Sequence, residues 1–456
     1  MLGIPMPIIF LLLLIVFVAV LFLYFKRPMY EIMALSFLLM ITLSGQWNKF
    51  LEFLLYPSTS SLFYTIFAFM IIAVLFDATK VVNKIVQIML AIVGRVRGGA
   101  GYVALLASTF MAALSGSGPG NVAATGVFTI PMMKRSGFPA HLAATTEMSS
   151  SMLGNIIPPA GIIFLSYGIL ENTVPGSISL SGWMLAAYSI GAWFFLQRWL
   201  TLFVLCRVYK VRPIPSNEIP SLSESFKLGW SALVIPALIF IPLFIDAQAK
   251  DWLIARIGEN GSASFSSSVL MFTPGIAGAY AIWTGRKSLS DRKVKFGALV
   301  EIVKSSLTKV VPIAVTIYFA YATSQAFVGI GAEEQIKQWF MSLGLNVTAF
   351  VIILPIFFAL LGMVLPGTAQ VAILGGAMIA SFSALGGNPV LFAALLPAMT
   401  GAMEGMTPPL ALGLFVAMGI ADSDFYKTTK LAIIWIILHL ILSILLLTGI
   451  LPILGL

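Results

Sequence analysis

Four interruptions in otherwise apolar segments contain the residues of this chain that could do chemistry. Each combines glycine or proline with a hydroxyl, amide or carboxyl side chain, and they cover 115–121, 154–161, 362–369 and 404–409. Proline removes a backbone donor and frees a carbonyl oxygen about one turn earlier. Such carbonyls, together with serine and threonine hydroxyls, suit a small cation such as Na⁺, whereas the N-terminus of a half-helix suits a carboxylate. The interruptions therefore predict a site for an organic anion and a coupling cation that needs almost no charged side chains.

The four interruptions form two pairs with the same internal spacing. Ser117 and Pro159 are 42 positions apart, and so are Gly367 and Pro409. Basic residues flank the segment 98–133 on both sides, so both of its ends are expected on the cytoplasmic face and its polar tip inside the bilayer. The second pair lacks such flanks, so its hairpin is expected to enter from the other face. Two halves of opposite orientation, each with a re-entrant hairpin and a broken helix, are typical of an inverted-repeat secondary transporter.

Two acidic residues, Glu147 and Glu404, lie inside the apolar segments. An ionised carboxylate in a membrane span costs about 2.5–3.5 kcal/mol or more, so a functional role is the first hypothesis for each. Glu147 precedes the break at Gly154 by two helical turns, and Glu404 lies within the later break. Either residue could carry a proton or accept a hydrogen bond from a backbone donor, and the sequence leaves both roles open.

The composition requires that these elements lie in a membrane. Of the 456 residues, 59% are hydrophobic and 9% are charged, and the mean hydropathy is +1.02. A soluble domain carries about a quarter charged residues, so this chain is predicted to be an all-α integral membrane protein. Its basic residues, which give a net charge of +9, lie in short gaps between apolar runs, which indicates membrane orientation rather than nucleic-acid binding. One cysteine and two histidines exclude a disulfide framework and a multi-cysteine metal site.

Apolar runs predict the membrane-spanning helices. They cover 6–25, 30–44, 60–78, 180–205, 229–245, 266–284, 306–330 and 429–455. The basic gaps 206–227 and 285–304 are expected as cytoplasmic loops, with the mixed segment 246–265 outside. The resulting regions are N-terminal scaffold helices at 1–95, a first hairpin and broken helix at 96–178, connecting scaffold helices at 179–330, a second hairpin and broken helix at 331–425, and a C-terminal helix at 426–456.

The spans contain none of the groups that an intramembrane hydrolase requires. A paired-aspartate dyad, a Ser–His pair and a His-Glu-x-x-His zinc motif are all absent from the sequence of the spans. The chain is therefore predicted not to be an enzyme and to need no cofactor beyond a coupling ion, Na⁺ or H⁺. A stand-alone carboxylate–cation symporter of the same architecture is the alternative that the sequence keeps open. An assembly or channel component would not need matched broken helices.

Six motifs resemble the large membrane subunit of a tripartite ATP-independent periplasmic (TRAP) transporter: Arg97-Gly98-Gly99, Ser115-Gly116-Ser117, Ile130-Pro131-Met132, Ile157-Pro158-Pro159, Gly362-Met363 and Thr407-Pro408-Pro409. The segments 121–135 and 365–369 look closer to the TAXI branch of that family. The resemblance covers nearly the whole chain and implies an ion-transporter-superfamily-like fold, in which a transport region moves as an elevator against a scaffold. It also implies symport of an organic anion, usually a small carboxylate, across the cytoplasmic (inner) membrane of a bacterium or archaeon. The implied partners are a periplasmic binding protein that delivers the substrate and a small four-helix membrane subunit, which is expected as a separate chain because 456 residues leave no room for a fusion.

The resemblance also implies residues for the cation and substrate sites. A first cation site would involve Ser115, Gly154, Ile157 and Pro158, and a second one Gly362, Glu404, Gly405 and Thr407. Substrate contacts are expected at the tips and breaks, from Ser117, Asn121, Asn155, Pro366, Gly367 and Thr368. The more common branch of the family has glycine at the position of Glu404 and an acid at the position of Pro366. Proton transfer by Glu147 or Glu404 is therefore the alternative to coupling by Na⁺.

Overall fold

All regular elements in the described part of the chain are helical. The computed structural model describes residues 5–59, 63–64, 79, 81–115, 118–289, 296–342, 344, 346–363, 365–408 and 411–456. The helices of the first half are α1 (Met6–Ala19, continued by a π-helical turn at Val20–Tyr24), α2 (Met29–Ser44), α3 (Phe50–Thr59), α4 (Val81–Val93), α5 (Gly99–Ser115), α6 (Gly118–Arg135), α7 (Ala140–Ser151), α8 (Gly161–Thr173) and α9 (Leu180–Val208). Those of the second half are α10 (Leu222–Gln248), α11 (Lys250–Leu289), α12 (Phe296–Gly329), α13 (Ala332–Ser342), α14 (Val347–Gly362), α15 (Gly367–Ala384), α16 (Pro389–Met399), α17 (Gly401–Glu404), α18 (Leu412–Ala421) and α19 (Phe425–Leu447). Within this described part, α9, α15 and α19 are long and apolar enough to cross a membrane.

Most of the predicted spans are helical at the expected positions, but helices extend into the predicted loop 285–304 and through most of the mixed segment 246–265. The segment 246–265 is mainly helical, since α10 continues to Gln248 and α11 begins at Lys250, with Gly258 in a non-helical conformation (φ 73°). Charged residues such as lysine, arginine and glutamate are good helix formers, so a polar stretch does not by itself end a helix. For the same reason α11 and α12 extend into the basic gap 285–304, of which 290–295 are not described. The predicted span 60–78 lies outside the described residues apart from 63–64.

Both predicted broken helices are interrupted before their proline pairs. After α7 ends, a 3₁₀ turn covers Met152–Asn155, and regular helix resumes only at Gly161. In the second half, α16 is followed by the short α17, and helix resumes at Leu412. The cause is local, because proline lacks the backbone donor and disfavours a helical conformation in the residue before it.

The two hairpins are formed by α5 with α6 and by α14 with α15. The side chain of Asn121 on α6 donates a hydrogen bond of 3.0 Å to the Ser108 carbonyl on α5, which holds the first pair together. The connection between these helices, 116–117, lies outside the described residues. In the second hairpin, Pro366 immediately precedes α15 and has the extended conformation of an N-cap (φ −58°, ψ 144°).

The interrupted helices pack crosswise between the two halves of the chain. Helix α18 packs against α6 and α7, whereas α8 packs against α15 and α16. Helix α6 of the first hairpin therefore contacts α18, which follows the second break. Helix α15 of the second hairpin contacts α8, which follows the first break. This packing brings the two breaks together at the centre of the helix assembly. The place where the turn Met152–Asn155 meets α17 is the crossing of the two breaks.

The outer helices α2 and α3 pack on α12, which contacts the centre through α8 and α15. Tyr56 on α3 donates a hydrogen bond of 2.7 Å to Asn172 Oδ1, and Tyr321 on α12 donates one of 2.9 Å to the Phe164 carbonyl. A few directional contacts thus join the outer helices to the interrupted ones.

Candidate functional site

The two breaks meet at the centre of the assembly. The turn Met152–Asn155 packs against α17, and Asn155 Nδ2 donates a hydrogen bond of 2.5 Å to the Gly401 carbonyl. The Met152 side chain is fully buried. It fills the space that a Cβ atom would need on each of three glycines, Gly118, Gly405 and Gly413. The N-terminus of α6, the second break and the start of α18 therefore surround one methionine.

One close contact recurs in both halves of the chain. A Cβ atom on Gly154 would lie 2.5 Å from the carbonyl carbon of Ala112, and one on Gly362 would lie 3.3 Å from the backbone nitrogen of Glu404. Ala112 and Gly362 are 250 positions apart, and so are Gly154 and Glu404, so the two contacts join equivalent positions of the two halves. That same shift relates the two pairs of sequence interruptions. The break of each half is thus held against its own hairpin in the same way.

Glu404 occupies the N-terminus of α15. Its Oε2 atom accepts a hydrogen bond from the backbone N–H of Gly367, the first residue of that helix. The first N–H groups of a helix have no partner within the helix and carry a partial positive charge, so a carboxylate stabilises them. The helix end that the sequence predicts as a place for a substrate carboxylate is therefore filled by the protein's own carboxylate in this structure.

The residues predicted for the second cation site lie together. A Cβ atom on Gly362 would lie 3.5 Å from Thr407 Oγ1, and that hydroxyl donates a hydrogen bond of 2.8 Å to the Met403 carbonyl. Gly405 follows Glu404 directly and contacts Met152. Backbone, hydroxyl and carboxylate oxygens thus gather at one end of the second break.

The residues predicted for the first cation site do not all face the same place. Gly154 lies in the 3₁₀ turn against α5, and Ser115 is the last residue of α5. The Ile157 side chain turns away and packs on α9, where a Cβ atom on Gly191 would lie 2.6 Å from it. Pro158 follows it in the non-helical stretch. Ile157 and Pro158 can therefore contribute only backbone carbonyl oxygens.

The predicted substrate residues divide into two groups. Asn155, Pro366, Gly367 and Thr368 lie at the breaks or at the N-terminus of α15, and Thr368 is half-buried. Asn121 instead turns towards α5 and α7, where its Nδ2 also donates a hydrogen bond of 2.8 Å to Ser151 Oγ. Ser117 lies outside the described residues.

Glu147 lies in a buried cluster of hydroxyl groups between α5, α6 and α7. Four hydroxyls donate to its carboxylate: Ser108 Oγ at 2.7 Å, Thr125 Oγ1 at 2.5 Å and Ser151 Oγ at 3.0 Å to Oε1, and Thr129 Oγ1 at 2.6 Å to Oε2. The side chain is fully buried. Both ion pairs in the described part of the chain, Arg27–Glu31 and Arg135–Glu218, lie elsewhere. This carboxyl group is therefore held by neutral partners alone.

Two of these hydroxyls have a second acceptor at hand. Thr125 Oγ1 lies 2.8 Å from the Asn121 carbonyl, and Thr129 Oγ1 lies 3.0 Å from the Thr125 carbonyl. A hydroxyl has one hydrogen and two lone pairs. Each threonine can therefore donate to Glu147 when the carboxylate is ionised, or to its own helix when the carboxyl group carries a proton. The cluster can satisfy both states by rotating hydroxyl hydrogens.

Sequence reasoning missed a buried arginine–histidine pair. Arg198 on α9 and His439 on α19 contact each other beside α7 and α16. The available signal was a basic residue inside the predicted span 180–205, since a charged residue at membrane depth is a functional hypothesis by default.

Three comparisons with known proteins complete this description. The sequence profile described as "Tripartite ATP-independent periplasmic transporter, DctM component" matches residues 1–452. The C4-dicarboxylate TRAP transporter large permease protein DctM of Pseudomonas aeruginosa is 24% identical over 369 residues, which are 80% of this chain and 78% of that protein. The 2,3-diketo-L-gulonate TRAP transporter large permease protein YiaN of Escherichia coli is 26% identical over 368 residues, with 78% and 77% covered. The crystal structure of the Alcanivorax borkumensis YdaH transporter superimposes with a TM-score of 0.65 at 15% identity, over 93% of this chain and 98% of that one, so this likeness concerns the fold alone.

Proposed function

This chain belongs to the DctM component family of tripartite ATP-independent periplasmic transporters, and from that premise we propose that it carries an organic anion across the cytoplasmic membrane by cation-coupled symport. Members of this family are large permease subunits of transporters and not enzymes. The meeting of the two breaks carries the proposal, because it gathers unwound backbone, hydroxyls and helix N-termini at one place without a lysine or arginine side chain at the tips.

The substrate we propose is a small carboxylate. The P. aeruginosa relative is named for C4-dicarboxylates and the E. coli relative for 2,3-diketo-L-gulonate, and both are organic acids. The residues we assign to substrate are Asn155, Gly367, Thr368 and Pro366 at the crossing, with Ser117 at the first tip. Asn121 is assigned a supporting role, since its amide is bonded to Ser108 on α5 and to Ser151 on α7.

For the coupling ion we propose a proton, with Glu147 as its carrier. Four hydroxyls donate directly to the Glu147 carboxylate at 2.5–3.0 Å, which favours a proton over a metal cation as its partner. Its hydroxyl partners can satisfy either protonation state. The other buried acid, Glu404, lies at the crossing. Its release from Gly367 would free the N-terminus of α15 for the substrate carboxylate. Na⁺ held by Gly362, Glu404 and Thr407 is the alternative.

We further propose that the two hairpins are re-entrant and of opposite orientation, and that the centre moves as an elevator. The repeated contact of break and hairpin after 250 positions supports an internal repeat. The transport region would then consist of α5–α8 and α13–α18, and the scaffold would include α1–α3 and α12. The hydrogen bonds of Tyr56 and Tyr321 to α8 cross that boundary, so movement would have to break them.

The partners we propose are a small four-helix membrane subunit and a periplasmic binding protein. TRAP large permeases work with both. In such a system the binding protein selects the substrate, and the large subunit supplies the path.

Uptake by reconstituted vesicles tests this function. The complete three-part system would be incorporated into proteoliposomes and given radiolabelled succinate, with a pH gradient, a Na⁺ gradient or neither. We expect accumulation that depends on the binding protein and on an inward pH gradient. Transport at full rate by this chain alone would identify a stand-alone symporter instead, and uptake that ignores both gradients would contradict symport.

Removing single hydroxyls at the crossing is expected to slow uptake without preventing folding. Thr407→Ala and Thr368→Ala each remove one oxygen, and loss of one hydrogen bond costs about 1 kcal/mol, roughly fivefold in affinity. Ser115→Ala completes the series at the end of α5. The measurement is the half-saturating cation and succinate concentration of each variant, with Ser44→Ala on the outer helix α2 as control. Wild-type values in all three variants would show that the crossing is not the site.

A further inference from the structure

A buried arginine side chain, that of Arg198, connects both interrupted helices. The side chain of Arg198 is 1% exposed and that of His439 is 0% exposed. Arg198 Nε donates a hydrogen bond of 2.9 Å to the Ser149 carbonyl, and one of its terminal nitrogens lies 3.1 Å from His439 Nδ1. His439 Nε2 lies 2.9 Å from the Ala398 carbonyl. Since arginine only donates, Nδ1 accepts and Nε2–H donates, which fixes a neutral imidazole between the guanidinium and the carbonyl.

The two carbonyls occupy equivalent places. Ser149 lies in the last turn of α7, and Ala398 is the second-last residue of α16. These helices are the first halves of the two broken helices. The last four carbonyls of a helix have no partner within it and together carry about half a negative charge. One guanidinium, extended by one imidazole, thus caps both helix ends that point at the crossing.

The remaining contacts keep this charge in place. Arg198 also donates to the Phe194 carbonyl at 3.3 Å and to Gln197 Oε1 at 3.0 Å on its own helix. The Phe194 ring stacks on His439 with centroids 4.3 Å apart and lies 5.7 Å from the guanidinium carbon. In the described part of the chain the ion pairs lie elsewhere. The positive charge of Arg198 is therefore balanced by carbonyl oxygens rather than by a carboxylate.

We propose that Arg198, held by His439, is a positioning residue that cancels the negative ends of α7 and α16 and so leaves the crossing attractive to an anion. This inference rests on the proposed function and identifies the charge that allows the site to bind an anion. Without the guanidinium, two helix C-termini would face a bound carboxylate, and in a medium of low dielectric constant that repulsion is strong. A site at the crossing can then bind an anion although neither tip carries a basic side chain.

The Arg198 charge could instead balance the Glu147 carboxylate, and the test must distinguish this role from the proposed one. Glu147 lies on α7 two residues before Ser149, and its carboxylate faces the hairpin hydroxyls on α5 and α6. Arg198 could simply balance that carboxylate through the helix. If so, removing both charges should restore what removing one destroys.

The test uses the complete three-part system in proteoliposomes and measures exchange of labelled succinate. The half-saturating succinate concentration is measured on the side opposite the binding protein, where the anion reaches the site without delivery. We expect Arg198→Met to raise this concentration by tenfold or more, with a smaller effect on maximal rate, and Arg198→Lys to recover part of it. His439→Gln keeps an acceptor for Arg198 and a donor for Ala398 and is expected to resemble wild type, whereas His439→Phe removes the partner of α16 alone and should show part of the effect of Arg198→Met.

The outcomes separate the alternatives. An unchanged half-saturating concentration in folded Arg198→Met, or its return to the wild-type value in Arg198→Met/Glu147→Gln, would overturn the proposal. If Arg198→Met does not fold, as judged by its melting temperature in detergent, Arg198→Lys and His439→Phe carry the same comparison. Failure of the wild-type system to exchange succinate or any other labelled organic anion would instead contradict the proposed function.

Discussion

Glu147→Gln is expected to reduce uptake driven by a pH gradient strongly while preserving exchange of substrate across the membrane. Glutamine has the shape of glutamic acid but stays neutral, so it mimics the protonated carrier and cannot release a proton on the other side. Net uptake should fall by about tenfold or more, which corresponds to about 1.4 kcal/mol in the barrier. Exchange needs no change of protonation and should continue. The measurement compares net uptake and exchange of labelled succinate in the same proteoliposomes.

The structure offers a control for the folding of this variant. The hydroxyls of Thr125 and Thr129 have helix carbonyls as alternative acceptors, so they can accept from an amide and the cluster should tolerate glutamine. Glu147→Leu instead removes the common acceptor of the cluster and is expected to lower the melting temperature. Net pH-driven uptake at the wild-type rate by Glu147→Gln would exclude Glu147 as the carrier. The same pair of assays on Glu404→Gln decides whether the second acid carries the proton.

Gly405→Ala is expected to reduce transport because its methyl group would collide with the end of the Met152 side chain, which is fully buried and would have to shift. Adding a methyl group to a packed interior costs about 1–3 kcal/mol, and here the strain falls on the second break itself. The matched change is Met152→Ala, which empties the space next to all three neighbouring glycines. We expect the double variant Gly405→Ala/Met152→Ala to transport better than Gly405→Ala alone, since the removed side chain makes room for the methyl group.

Gly419→Ala provides the control for this pair. Gly419 lies on α18, and a Cβ atom there would meet nothing within 4 Å. Its transport rate and melting temperature should stay at the wild-type values. Equal rates for Gly405→Ala and Gly419→Ala would show that the contact between the second break and Met152 does not matter for transport.

The breaks could be predicted from the sequence because their cause is local. Proline lacks a donor and restrains the preceding residue, so Pro158 and Pro408 interrupt a helix in almost any surroundings. The pairing of the breaks was also readable, because equal spacing in two halves indicates a repeat. Helix boundaries in polar segments were not predictable, since the mixed segment 246–265 is mainly helical and its charged residues do not mark where the helices end.

The cluster around Glu147 and the arginine–histidine pair depend on contacts that spacing does not reveal. Ser108 lies 39 positions from Glu147, and Arg198 lies 241 positions from His439. Packing of α5 on α7 and of α9 on α19 brings these residues together, and no periodicity within one segment indicates which helix packs on which. The capping of α15 by Glu404 is likewise a tertiary contact, and it changes the expected role of that helix end.

The most direct measurement is a structure of the three-part complex determined with its anion bound. We expect density for the anion between the two breaks, within about 4 Å of Asn155 and of the N-terminus of α15, the usual contact distance. Glu404 should then be displaced from the Gly367 N–H group. Anion density at the boundary between α12 and α8, with the breaks still closed around Met152, would contradict the proposed site.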